Sequence, residues 1–279
     1  MSRRRQHVPW KAAGQTSEME SSADEVVRET GWVFNNRNDH LSLAEFVRTG
    51  DQETLAYFEA FGLIAPKSPG TEFNSQSIVE IGSGIGRMTA SLTRMFAKVV
   101  ACDLDAAFLE RCRETVAKFG RVDRLQTSHV ADGRTLSLPD NSADVVFSYI
   151  TFQHCHRGDA LALTREALRV AKPGGHVVLN FRTWVPADLA LWPAGALVRA
   201  LWRLPRLGPV IARQRVAARL GWQANRLSPA DVVPVVGSRL LNVQVWRSPR
   251  RRAFGLPAST DATFHGVHPS HWWLVATVR

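Results

Sequence analysis

The chain has 279 residues, enough to bury a core without disulfides or metals, and its 45% apolar and 22% charged side chains exclude a disordered or fibrous protein. Three cysteines, Cys102, Cys112 and Cys155, make no disulfide framework and fit a reducing compartment. The net charge of +10 sits wholly in the last third: residues 184–279 carry 13 Arg, no Lys and three Asp (Asp188, Asp231, Asp261), while residues 1–183 balance 22 basic against 22 acidic side chains.

In chain order, residues 1–40 are polar and predict a flexible N-terminal arm. Residues 41–70 form a lead-in: a helix with Leu43, Phe46 and Val47 on one turn and Leu55, Phe58 and Phe61 at spacings of three, then a Pro- and Gly-rich linker ending at Gly70. Residues 71–183 alternate short apolar runs with helical periods. Strands are expected at 77–81, 99–103, 125–130, 143–149 and 176–181, helices at 87–96, 106–119 and 159–171, and a turn at Lys172-Pro173-Gly174-Gly175. Such alternation implies right-handed crossovers and a parallel sheet.

The rhythm breaks at residues 184–227, which hold seven Arg and one Asp and read as a helical, basic lid insert. On a helix, Leu197, Leu201 and Leu204 fall on one face and Arg199, Arg203 and Arg206 on another. Residues 228–279 complete the sheet: Ser228-Pro229-Ala230-Asp231 starts a helix, and strands follow at 243–247 and 272–278. The longest apolar stretch, Leu189 to Ala212, contains Arg199, Arg203 and Arg206, which are costly inside a bilayer. With no signal-peptide pattern at the N-terminus, the expectation is a cytoplasmic protein.

The central feature is Glu80-Ile81-Gly82-Ser83-Gly84-Ile85-Gly86 between a strand and a helix. Glycines let the backbone turn sharply and approach a ligand, and a helix start offers unpaired N–H groups. A dinucleotide fingerprint would need glycine where Arg87 stands, which argues against a nicotinamide cofactor. Asp103 ends the next strand, where a carboxylate can accept from both vicinal hydroxyls of a ribose.

These residues, with Ala131-Asp132-Gly133, Asp144-Val145-Val146-Phe147-Ser148 and Leu168 to Gly175, resemble the class I S-adenosylmethionine-dependent methyltransferases. The resemblance covers about residues 77–182 well and 228–279 weakly. It implies a Rossmann-like α/β fold with a seven-stranded, mostly parallel sheet, a basic helical insert after the fifth strand and an antiparallel last strand. It implies S-adenosylmethionine as cofactor, with Gly82, Gly84 and Gly86 along its methionine part and Glu80 helping to hold its amino group. Asp103 would bind the ribose, Leu104 would pack on adenine, and Asp132 would accept from the adenine amino group with Gly133 nearby. Ser148 and Tyr149 would face the methionine end.

A base is needed only if the acceptor loses a proton early, as a hydroxyl does. The candidate is His154 in Thr151-Phe152-Gln153-His154-Cys155-His156, on the carboxyl edge of the sheet. His265, His268 and His271 surround a Gly and a Pro and show no zinc pattern, so no metal is expected. The expected activity is methyl transfer to a small-molecule or lipid- or glycan-linked acceptor, at a hydroxyl. An RNA or protein methyltransferase, and a non-catalytic membrane-associated binding protein, stay open as alternatives. Arg199, Arg203 and Arg206 suggest peripheral contact with an anionic membrane. With no RNA-binding module ahead of the core, nucleic acid is the weakest partner.

Overall fold

The computed structural model describes residues 22–28, 41–67, 70–250 and 257–279. The expected flexible arm therefore falls mostly outside the described residues, but part of it is folded. Residues 23–28 form a short helix, α1, and Ala23, Val26 and Val27 are buried against Phe46, Ile85 and Phe108. The arm reading missed this turn because six residues are too short to show a period.

Helix α2 (Leu43–Ala60) starts with a capping box in which Ser42 and Glu45 satisfy each other's backbone N–H groups. The core then runs β1 (Ser77–Ile81), α3 (Thr89–Met95), β2 (Lys98–Asp103), α4 (Ala106–Phe119), β3 (Leu125–His129), β4 (Ala143–Ser148), α5 (Arg157–Val170) and β5 (Ala171–Arg182). Asp105 caps α4 by accepting from the Ala107 N–H. The expected turn at 172–175 lies inside β5: the strand carries Gly174 at φ +78° and slips register against β4, which absorbs the Pro-Gly-Gly as a bulge.

After the insert helices α6 (Asp188–Leu201), α7 (Gly208–Arg213) and α8 (Arg215–Trp222), helix α9 (Pro229–Val236) leads into β6 (Leu240–Arg247), β7 (Asp261–Thr263) and β8 (His271–Val278). The sheet order is β3-β2-β1-β4-β5-β8-β6-β7, eight strands where seven were expected. The extra strand, β7, adds three residues in parallel to the outer edge of β6 and is too short to carry an alternation. β8 runs antiparallel to both β5 and β6.

Neighbouring side chains on a strand face opposite ways, and β8 uses this to anchor both layers. Trp272 stacks on Phe181 and donates its indole N–H to the Leu227 carbonyl at 2.8 Å. Trp273 lies almost parallel to Tyr149 on the other face, with Tyr57 at 4.6 Å between ring centres. β1 pairs with both β2 and β4, so the chain leaves it in opposite directions. In an open α/β sheet that divergence opens a crevice at the carboxyl edge, where the glycine loop lies.

Candidate active site

Gly82, Gly84 and Gly86 all have positive φ, +81°, +55° and +93°. They are not equivalent. A Cβ on Gly82 would meet the Thr151 hydroxyl at 2.1 Å, and one on Gly86 would meet the Cys112 backbone at 3.1 Å. A Cβ on Gly84 would meet nothing within 4 Å, so this backbone faces open space in the crevice.

Asp103 braces the loop from the end of β2. Its two carboxylate oxygens accept from the Gly84 N–H at 2.8 Å and the Asp105 N–H at 2.9 Å. Burial pushes its carboxyl up to about 6, against those hydrogen bonds. Glu80 is also buried. Burial pushes it up to about 7, although the Thr89 hydroxyl donates to it at 2.6 Å and Arg87 lies near.

Glu80, Gly82, Gly84, Asp103, Leu104, Gly133, Tyr149 and His154 line one cavity together. Gly86 does not reach its wall; it serves the turn behind the loop. Two other expected residues are placed differently. Ser148 is fully buried and donates to the Ile81 carbonyl at 2.9 Å, so it ties β4 to β1 and leaves the cavity wall to Tyr149. Asp132 is exposed, off the wall, and its Oδ1 accepts from the Arg134 and Thr135 N–H groups in a local turn.

His154 is on the wall but engaged at both ring nitrogens. Nδ1 lies 2.8 Å from the Trp222 carbonyl, to which it must donate. Nε2 then carries the lone pair and faces the Gln153 amide nitrogen at 3.2 Å. Burial lowers the imidazole's pKa. This geometry makes His154 a strap between the loop after β4 and the insert, whose Trp222 forms part of the same wall. Phe46, Arg87 and Trp222 were missed as wall residues; only folding brings α2 and α8 to the loop.

A second cavity adjoins the first. Glu53, Tyr57, Phe264, His268 and His271 line it, and Arg87, Tyr149 and Ile150 line both. Ile150 has φ +52°, a conformation that a β-branched residue rarely adopts, so the backbone is strained where the cavities meet. Among the described residues no three His, Cys, Asp or Glu side chains converge as a metal site.

The methyltransferase-domain family matches residues 79–179. A demethylmenaquinone methyltransferase from Corynebacterium kroppenstedtii is 31% identical over 175 residues, 62% of this chain and 69% of that protein. The chain belongs to the class I S-adenosylmethionine-dependent methyltransferases. Against a ubiquinone biosynthesis O-methyltransferase from Xanthomonas oryzae, this methyltransferase is 30% identical over 123 residues, 43% of its own length and 48% of the relative's. The magnesium protoporphyrin IX methyltransferase of Synechocystis, solved with bound S-adenosylhomocysteine, shares the fold: TM-score 0.55 at 16% identity, over 92% of this chain and 97% of that one.

The cofactor is S-adenosylmethionine, and the site suits it. The open space at Gly84 leaves room for a ligand against the backbone, and the buried Asp103 carboxylate beside it suits hydroxyl donors.

The raised acids make binding pH-dependent. With the ribose on Asp103, as the family resemblance implies, its hydroxyls would favour the ionised carboxylate, and affinity for S-adenosylmethionine should fall as pH drops below about 6. The loss should approach about tenfold per pH unit, as for any binding that needs one group deprotonated. Stability without cofactor follows the opposite trend. The folded chain holds protons on Asp103 and Glu80 up to about 6 and about 7, above their ordinary 3.8 and 4.5. These two groups therefore destabilise the fold as pH rises through that window. Calorimetry and denaturation between pH 5 and pH 8 check both trends.

Proposed function

We propose that this methyltransferase moves a methyl group to a hydroxyl of a small-molecule or lipid- or glycan-linked acceptor held in the second cavity, with Glu53 as proton acceptor. The observation that carries this reading is the junction at Arg87, Tyr149 and Ile150, where the two cavities share a wall. When bound, S-adenosylmethionine supplies an electrophilic methyl on its sulfonium.

The residues of the second cavity are suited to an uncharged polar group. Tyr57 donates to the Gly266 carbonyl at 3.3 Å, and its oxygen lies 3.4 Å from the Tyr149 hydroxyl. Burial pushes the Tyr57 phenol up to about 12 and Tyr149 well above the usual tyrosine range, so both stay protonated at neutral pH. Burial pushes His271 down to about 3, so it stays neutral. The charges on the wall are paired with each other: Glu53 and Arg87 lie 2.7 Å apart. A hydroxyl becomes nucleophilic as its proton leaves, and among the described residues Glu53 is the carboxylate on that wall. The name of the Xanthomonas relative, an O-methyltransferase, agrees with a hydroxyl acceptor.

Glu53→Gln should lower kcat by about a hundredfold or more, the usual worth of a general base. Its affinity for S-adenosylmethionine should stay within about twofold of the parent, since Glu53 is absent from the cofactor cavity. An unchanged kcat would remove Glu53 from the chemistry.

A further inference from the structure

Helix α6 is laid inside out. Its inner face carries the polar groups: Asp188 is fully buried, and Arg199 stacks on Trp192 and donates to the Gln223 carbonyl at 3.0 Å. Between them, Gly195 lets α6 press on α8, where a Cβ would meet the Leu220 carbonyl at 2.5 Å. The outer face carries Leu189 at 83% exposure and Leu197 at 61%, with Pro193, Ala196 and Ala200 exposed along the same stripe. The following turn and α7 add Leu207 and Val210, each 58% exposed.

The expected arginine stripe is thereby corrected. Arg199 points inward, and Arg203 and Arg206 lie beyond the end of α6, exposed among the leucines. Residues 184–227 contain a single acid, Asp188, and it is spent on Arg182 and Arg226. Among the described residues, the exposed side of α6 and the turn after it thus carries large aliphatic side chains and arginines, with no carboxylate.

We propose that this face docks on an anionic phospholipid membrane. Several large apolar side chains left this exposed on one helix and the turn after it mark an interaction site. Its charge selects the partner. In a pairing of two copies through this face, Arg203 and Arg206 would meet a second basic face whose one acid, Asp188, is already paired, so neither arginine would find a counter-charge there. A bilayer carrying anionic headgroups accepts both features: leucines at the acyl boundary and arginines at the phosphates. The face lies on the outside of the insert whose α8 supplies Trp222 to the cofactor cavity, so docking would leave that cavity's inner wall in place. The proposal does not depend on the identity of the acceptor.

The test is co-sedimentation with vesicles of phosphatidylcholine containing phosphatidylglycerol, and with vesicles of phosphatidylcholine alone, at low and high salt. The full chain should bind the anionic vesicles, and high salt should weaken binding. Leu189→Gln, Leu197→Gln and Leu207→Gln together should reduce the bound fraction by at least about tenfold. Arg203→Gln with Arg206→Gln should abolish the preference for anionic lipid. Both variants alter exposed side chains only and should bind S-adenosylmethionine as the parent does. Failure of the parent to bind anionic vesicles would overturn the proposal. So would unchanged binding by the leucine variant, or light scattering that shows a dimer which that variant dissolves.

Discussion

Asp103→Ala is expected to weaken binding of S-adenosylmethionine by about a hundredfold or more while leaving the chain folded. On the proposal that Asp103 accepts from both ribose hydroxyls, two hydrogen bonds to a charged acceptor worth about 1.5–3 kcal/mol each would be lost, about 3–6 kcal/mol together. The substitution also removes the brace that accepts from the Gly84 and Asp105 N–H groups, so the loop loses its hold from β2. Asp103→Asn separates the two effects. It keeps an oxygen for one of those N–H groups and removes the charge, and it should retain more stability than Ala while still binding weakly. Titration calorimetry with circular dichroism on the same samples checks this. Parent-like affinity in a folded Asp103→Ala protein would place the ribose elsewhere.

Asp188→Ala should cost about 3–5 kcal/mol of stability, because it leaves two buried guanidinium groups without their counter-charge. Asp188 is fully buried and accepts from Arg182 at 2.8 Å, Arg226 at 2.9 Å and the Val185 N–H at 2.9 Å. Arg182 ends β5 and Arg226 follows the insert, so this one carboxylate closes the insert onto the core. Burial pushes its pKa up, but the hydrogen bond from Arg226 and the charges of both arginines hold it below the ordinary carboxylate range. A depressed carboxylate stabilises the fold at neutral pH and loses that contribution only in acid below the ordinary value. Urea denaturation at neutral pH should show the destabilisation, and an unchanged midpoint would mean that the arginines find other partners.

The parts of the fold that could be read in advance are those in which local pattern and tertiary burial agree. Helix α4 keeps Phe108, Leu109, Cys112, Thr115 and Val116 on its buried side, and its observed bounds are the expected ones. The glycine loop and Asp103 were legible because backbone conformation and a strand-end acid leave local marks. The insert misled because amphipathic reasoning turns leucines inward; here the buried Asp188 cluster and the tight Gly195 crossing decide which face of α6 points in. The second cavity was invisible because Glu53 and Tyr57 come from α2, while Phe264, His268 and His271 come from the other end of the chain. Ser148 illustrates a subtler limit. Its position at the end of β4 was correct, but the direction of its hydroxyl depends on the neighbouring Ile81 carbonyl.

The most direct measurement is to incubate the protein with methyl-labelled S-adenosylmethionine and cell extract, and then to separate small molecules and lipids from protein and RNA. The cavity shared at Arg87, Tyr149 and Ile150 predicts that label enters the small-molecule or lipid fraction, on oxygen, and that Glu53→Gln prevents it. Label confined to the RNA or protein fraction would contradict the account.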